Sequence, residues 1–210
     1  MSRLINNLIT QGYLKSDALI DAFNRIGREE FVPEEFVSEA DTNIPLPIGY
    51  GQTISQPLTV AMMLELLDLR PGQKVLDIGS GSGWTSALMA EVVGDEGSVV
   101  AVERIPELYD FGKKNIDKFG FVSLKRVKCV LGDGSQGYAK DAPYDRILVS
   151  ASLEEIPDTY KEQLTIGGKM VMPIYNSLAY VEKRGKDDFY VERFAGFIFV
   201  PLIENSPATT

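Results

Sequence analysis

Apolar positions recur along this chain with two periods, and the changes of period mark its elements. Over the first 40 residues the spacing is helical. Leu4, Ile5, Leu8 and Ile9 form one stripe, and Leu19, Ile20, Phe23 and Ile26 another, with Ser16 and Asp17 placed to cap the second helix. Pro33 stands where a further short helix would begin, ahead of Glu34, Glu35 and Phe36. Residues 43–56 break the pattern, because Pro45, Pro47, Gly49 and Gly51 make an extended, turn-rich segment. Pro57 then opens an apolar helical run through Val60, Ala61, Met63, Leu64 and Leu67, and Pro71-Gly72 is a turn.

From Lys74 onward, short apolar runs alternate with helical stretches. KVLDI (74–78), SVVAVE (98–103), RVKCVL (126–131), YDRILVS (144–150) and KMVMPI (169–174) read as strands. Residues 84–93, 106–119 and 156–164 read as helices, with a break at Gly167-Gly168. Residues 178–183 and 189–201 lack a helical period and read as two antiparallel strands that finish the sheet around a charged turn, 184–188. The rhythm predicts an α/β fold: a doubly wound, Rossmann-like, mostly parallel seven-stranded sheet with helices on both faces. No repeat, low-complexity block or linker interrupts it. The whole of 1–210 is expected to form one domain, with a helical extension (1–42), an extended segment (43–57) and a core (58–202).

Composition changes the picture mainly by exclusion. The 210 residues include 21 Lys+Arg against 30 Asp+Glu, a net charge of −9, with one cysteine and no histidine. A lone Cys129 cannot form an intramolecular disulfide, which points to a reducing compartment, the cytoplasm. Its place beside Lys128 in an apolar strand reads as a core thiol rather than a nucleophile. Without imidazole there is no Ser-His-Asp triad, no Cys-His pair and no His-ligated metal, and no metal site is expected. The acidic balance disfavours nucleic acid, and no run approaches the roughly 18 apolar residues of a membrane span. A secretory signal is not expected either, since polar residues interrupt the first apolar stripe. Any enzyme here does chemistry that needs no imidazole.

The strongest local signal for chemistry is Asp77-Ile78-Gly79-Ser80-Gly81-Ser82-Gly83, between the first strand of the alternating region and its helix. Glycines there permit a sharp turn and close approach of a ligand. The spacing is not the G-x-G-x-x-G that seats a pyrophosphate, and no Gly-Lys-Ser/Thr follows. Glu103 ends the next strand and can accept hydrogen bonds from ribose hydroxyls. Asp133-Gly134 follows the third strand, within reach of an adenine amine. Acidic residues at three strand ends, with no phosphate cradle, suit an adenosyl ligand carrying a positive sulfonium better than an anionic dinucleotide. The plainer alternative is that the glycines are only turns and the acids only solvated strand ends.

At this point the chain resembles a known family. Residues 77–83 look like the S-adenosylmethionine loop of class I methyltransferases. The segment PLPIGYGQTISQP (45–57) is more specific, and resembles the signature of protein-L-isoaspartate (D-aspartate) O-methyltransferases. Arg28-Glu29-Glu30-Phe31-Val32-Pro33, Gly132-Asp133-Gly134, Ala142-Pro143-Tyr144-Asp145, Ile156-Pro157, Gln163-Leu164 with Gly167-Gly168, and Phe199-Val200-Pro201-Leu202 agree with it in order. The resemblance implies methyl transfer from S-adenosyl-L-methionine to the free α-carboxylate of L-isoaspartyl, and possibly D-aspartyl, residues in damaged proteins and peptides. It also implies a doubly wound sheet whose last strands have an altered order. The chain itself is expected to be a monomer.

The resemblance also assigns residues. Thr53 and Ile54 lie over the methyl-donor site, and residues 43–57 become a cover for cofactor and substrate. Ser55 is the catalytic position, a hydrogen-bonding group near the reacting carboxylate, although it also reads as a helix N-cap ahead of Pro57. Asp77, Gly79, Ser80, Gly81 and Gly83 form the cofactor loop, Glu103 and Arg104 the ribose side, and Asp133 with Gly134 the adenine side. Ser55, Gln56, Ser150, Ala151, Val200, Pro201 and Leu202 are expected at the substrate, with Pro173 as a further wall. The chain departs from the family pattern at Leu58, Trp84, Glu39-Ala40-Asp41 and 150–154. Those departures motivate an alternative: a divergent member that methylates another carboxylate, or one that binds cofactor or peptide without efficient turnover. A nucleotide-dependent dehydrogenase is the rival outside the family, disfavoured by the glycine spacing and the absent histidine proton relay.

Overall fold

A computed structural model describes residues 2–203; Met1 and residues 204–210 of the expected 1–210 domain lie outside the described residues. The chain opens with α1 (Arg3–Thr10) and α2 (Asp17–Arg25), followed by 3-10 turns at Arg28–Phe31 and Glu34–Glu39. A small hairpin, β1 (Leu46–Gly49) and β2 (Gln52–Ile54), leads into α3 (Pro57–Leu67). Then come β3 (Lys74–Ile78), α4 (Trp84–Val93), β4 (Ser98–Glu103), α5 (Pro106–Asp117), β5 (Val127–Leu131), β6 (Tyr144–Val149), α6 (Asp158–Gln163), β7 (Leu164–Ile174), β8 (Ser177–Lys183) and β9 (Phe189–Ala195).

The large sheet has seven strands in the order β5-β4-β3-β6-β7-β8-β9. Strands β5 to β7 run parallel, while β8 and β9 complete the sheet as an antiparallel meander. Side chains alternate across it. Val75, Val99, Ala101, Val127, Leu148 and Val171 join the core beneath α1–α5, whereas Leu76, Ile78, Val100, Val102, Ile147 and Val149 join a second core with Tyr144, Tyr160 and Leu164. Both faces are therefore apolar, which is why these strands read as continuous hydrophobic runs. The helices lie on both faces but unevenly, five against the first core and α6 against the second. Strand β3 pairs with β4 on one side and β6 on the other, so the chain order reverses there and the loops leaving the carboxyl ends diverge. The site sits in that crevice.

Several local expectations are corrected by packing. The extended segment is a hairpin, and its two central residues, Tyr50 (φ 55) and Gly51 (φ 70), both take the positive φ of a type I′ turn. Ser16 stands at the N-cap of α2 as expected but makes no side-chain cap bond; its hydroxyl and backbone N–H instead donate to the Glu65 carboxylate on α3. The helix expected over 156–164 starts at Asp158, and β7 begins at Leu164, ahead of the glycine pair. Gly167 (φ 81) and Gly168 lie inside β7, where the pairing with β6 jumps from Leu164–Tyr144 to Lys169–Arg146. The last strand ends at Ala195 rather than 201, because Gly196 (φ 99) turns the chain back toward the crevice. Strand β5 is an edge strand, so Cys129 is only half-buried, its thiol pushed up to about 11 by desolvation.

Candidate active site

The glycine loop leaves β3 with three residues at positive φ: Gly79 (76), Gly81 (52) and Gly83 (88). The backbone N–H groups of Gly79 and Ser80 donate to the Val102 carbonyl at 2.9 and 3.1 Å, which stitches the loop to β4. Glu103, buried at the end of β4, holds it from the other side. One carboxylate oxygen accepts the Gly81 N–H at 2.9 Å, and the other accepts those of Arg104 and Ile105 at 2.8 and 2.9 Å. A carboxylate offers about four lone-pair sites, so capacity for a further donor remains. Asp133 accepts the Ser135 N–H at 2.9 Å, which shapes the turn after β5.

These segments enclose a cleft of about 910 Å³, counting its open mouth. Thr53, Ile54, Ser55, Gly79, Ser80, Gly81, Glu103, Arg104, Asp133, Gly134, Ser150, Ala151, Val200, Pro201 and Leu202 all line it. Four expected residues do not. Asp77 is fully buried beneath the loop, where one oxygen accepts the hydroxyls of Thr85 and Ser86 at 2.8 and 2.5 Å and the other has no hydrogen-bond partner among the described residues. Desolvation raises its pKa to about 6, against the pull of the two hydroxyls, and nearby Glu103 adds to the rise. Gly83 is the N-cap of α4, and a Cβ there would meet Ile116 and the Gly112 carbonyl. Gln56 lines a neighbouring cavity instead. Pro173 belongs to β7, and its carbonyl accepts the Leu153 N–H.

The cleft also takes in residues that were given no individual role, several of them inside the motifs: Ile48, Gln52, Val60, Ile78, Ser82, Trp84, Thr85, Val102, Ile105, Leu108, Gly132 and Ile203. Most are apolar neighbours of motif residues, and only the hairpin explains Ile48. Its Cδ1 would lie 3.3 Å from a Cβ at Gly81, so the hairpin roofs the glycine loop.

A second cavity of about 1310 Å³ adjoins the cleft, lined by Pro45, Thr53, Ser55, Gln56, Leu58, Thr59, Ser150 and residues 195–200. Thr53, Ser55, Ser150 and Val200 line both spaces and form the partition between them. The returning tail is clipped there by two bonds, Ser152 N–H to the Val200 carbonyl (2.7 Å) and Leu202 N–H to the Ser152 carbonyl (2.8 Å). Ser55 is not the helix cap. Gln56 holds that position without a side-chain bond, and the Asn43 side chain accepts the Leu58 N–H at 3.0 Å. The Ser55 hydroxyl thus has no hydrogen-bond partner among the described residues and stands at the partition.

Comparison with known proteins decides the family. The family described as Protein-L-isoaspartate(D-aspartate) O-methyltransferase (PCMT) matches residues 1–207. The chain belongs to this family. Among its relatives, a protein-L-isoaspartate O-methyltransferase of Methanothrix thermoacetophila is 49% identical, covering 96% of this chain and 93% of the relative. One from Methanothermobacter thermautotrophicus is 45% identical over 96% and 94%. The fold is shared with a Plasmodium falciparum chain described as a protein-L-isoaspartate O-methyltransferase in complex with S-adenosyl-L-homocysteine, at TM-score 0.86 and 26% identity, covering 96% and 97% of the two chains.

Proposed function

We propose that this chain is a protein-repair methyltransferase, moving a methyl group from S-adenosyl-L-methionine to the free α-carboxylate of L-isoaspartyl residues in proteins and peptides. The observation that carries the reading is the partition: two cavities meet at Thr53, Ser55, Ser150 and Val200, one between the glycine loop and its hairpin roof and one beside residues 195–200. The cofactor side suits the donor. Gly81 leaves the cleft wall bare, Glu103 and Asp133 offer carboxylates to hydroxyl, amine or cationic groups, and no P-loop cradle calls for phosphate. When bound, S-adenosyl-L-methionine supplies an electrophilic methyl on a positively charged sulfur.

The chain's own residues then position and exclude. Gly79, Ser80 and Gly81 present the loop backbone, and Glu103 with Arg104 takes the ribose side. Asp133 and Gly134 take the adenine side. Asp77 and Gly83 act from beneath, by holding the loop rather than by touching the ligand. Thr53 and Ile54, in the 43–57 cover, exclude water. The substrate carboxylate is already ionised at neutral pH, since such groups titrate near pH 4, so no general base is needed. That agrees with a chain lacking histidine. Ser55 and backbone groups near Ser150 and Ala151 hold the carboxylate with neutral donors, while Gln56, Val200, Pro201 and Leu202 bound the bound peptide. Among the described residues no charged side chain lines the second cavity, so their charge is kept from the anion at close range. Alignment of this kind contributes at most roughly 7–11 kcal/mol to lowering the barrier.

We also propose a monomer in the cytoplasm that acts without nucleic acid. Among the described residues no helix is long and apolar enough to cross a membrane. The test is methyl transfer to an isoaspartyl peptide followed by mild base: volatile methanol is expected, and its absence at saturating cofactor would overturn the reading.

A further inference from the structure

Arg28 carries a charge in an unusual place. The residue is only 4% exposed, and no carboxylate among the described residues meets it. Its guanidinium instead donates to five backbone carbonyls. One terminal nitrogen serves Ala40 and Thr42 at 3.1 and 3.2 Å, and the other serves Ile44, Ile54 and Ser55 at 2.8, 3.4 and 3.1 Å. Its carbon lies 5.5 Å from the Trp84 ring centroid, and the Trp84 indole N–H donates at 3.2 Å to the Ile26 carbonyl, two residues before Arg28. Burial without a counter-charge pushes the guanidinium down to about 10. Nε has no hydrogen-bond partner among the described residues. A buried unpaired charge is a poor device for stability, since removing it from water is expensive. Its fork geometry is, however, well suited to gathering carbonyls from separate stretches of chain.

Those stretches matter. The acceptors lie at both ends of the hairpin roof: Ala40, Thr42 and Ile44 before β1, Ile54 at the end of β2 and Ser55 just after it. Trp84 lies at the other end of the link, where it opens α4 after the glycine loop and lines the cleft. We infer that Arg28 is a positioning residue for methyl transfer, fixing the height and angle of Ser55 at the partition by clamping its carbonyl to Trp84 and the glycine loop. This rests on the assignment of Ser55 proposed above. A guanidinium is required, because a lysine ammonium presents its donors from one nitrogen and cannot serve both groups of carbonyls.

The test is a double-mutant cycle with Arg28→Met, Ser55→Ala and the pair. Turnover and KM on an isoaspartyl peptide are measured alongside calorimetric cofactor affinity. Arg28→Met is expected to lower kcat about 10- to 100-fold, the scale of an ångström of misplacement, with cofactor Kd moving less than about threefold. In the Ser55→Ala background the same substitution should cost less than about threefold, because the group it positions is gone. Multiplicative losses in the two backgrounds, or an Arg28→Met kcat within about twofold of wild type, would overturn the inference. Hydrogen exchange on the free protein supplies an arm independent of activity. Amides of residues 52–56 should lose protection in Arg28→Met while those of β3 and β4 keep it, and unchanged protection at 52–56 overturns the clamp. If Arg28→Met fails to fold, Arg28→Lys takes its place with the same cycle and a smaller loss. If wild-type protein leaves the peptide unmethylated, the functional proposal falls, and the exchange measurement still judges the clamp.

Discussion

The three glycines of the loop look equivalent in sequence, but substitution should separate them. Gly83 sits at φ 88, and an alanine Cβ there would lie 2.7 and 2.8 Å from Ile116 side-chain carbons and 2.9 Å from the Gly112 carbonyl. The left-handed backbone costs an L-residue roughly 1–2 kcal/mol. Forcing a methyl into packed atoms adds about 1–3 kcal/mol, and the Gly112 carbonyl cannot swing aside as a side chain would. Gly83→Ala should therefore lose about 2–5 kcal/mol, a large part of a typical folding free energy. At about 2–4 °C per kcal/mol for a chain of this size, the midpoint should fall by roughly 4–20 °C. Gly81 is different. Its φ of 52 is milder, and the nearest atom is the flexible end of Ile48 at 3.3 Å. Gly81→Ala should keep most of the stability and lose cofactor affinity, because its methyl joins the cleft wall; Gly81→Val should abolish binding. Paired thermal melts and calorimetric titrations give the answer. A Gly83→Ala melt within about 1 °C of wild type, or undiminished cofactor affinity in Gly81→Val, would refute the reasoning.

Two further outcomes are expected. Because burial raises Asp77 to about 6 in the fold, the native state holds its proton more tightly than the unfolded chain does. Stability associated with Asp77 should be full below about pH 4 and fall as pH rises to about 6, by about 3 kcal/mol at most. Urea melts of wild type minus Asp77→Asn across that window isolate the slope, and parallel curves would contradict it. Glu103→Gln removes the charge that accepts the Gly81, Arg104 and Ile105 N–H groups, at about 1.5–3 kcal/mol for bonds to a charged group. Cofactor affinity should drop by about tenfold or more, and wild-type affinity by calorimetry would show that the carboxylate does not hold the loop for binding.

Much of this arrangement was legible in the sequence because local rules agree with the fold. The apolar runs of β3, β4 and β6, the glycine loop and the acids at strand ends are set by backbone needs that a single segment expresses. Strand order is not local. Nothing around Cys129 distinguishes an edge strand from a central one, so its half-buried state emerges only with the sheet. Asp77 and Gly83 read as ligand contacts because they flank residues that line the cleft, yet packing against α4 and α5 turns one beneath the loop and commits the other to helix contact. Arg28 lies beside Glu29 and Glu30 and looks like a surface charge. Its acceptors come from residues 40–55, so its burial depends on a closure that periodicity does not record. The hairpin was hidden for a related reason: Tyr50 occupies a positive-φ position that Asn, Asp or Gly usually marks.

The central claim is that the partition presents Ser55 to an isoaspartyl carboxylate across from the methyl donor. The most direct measurement compares kcat/KM for an isoaspartyl peptide and its normal aspartyl twin, in wild type and Ser55→Ala. Transfer to the isoaspartyl peptide alone is expected, with Ser55→Ala slowing it while cofactor Kd stays near wild type. Equal methylation of both peptides, or wild-type turnover in Ser55→Ala, would contradict the account.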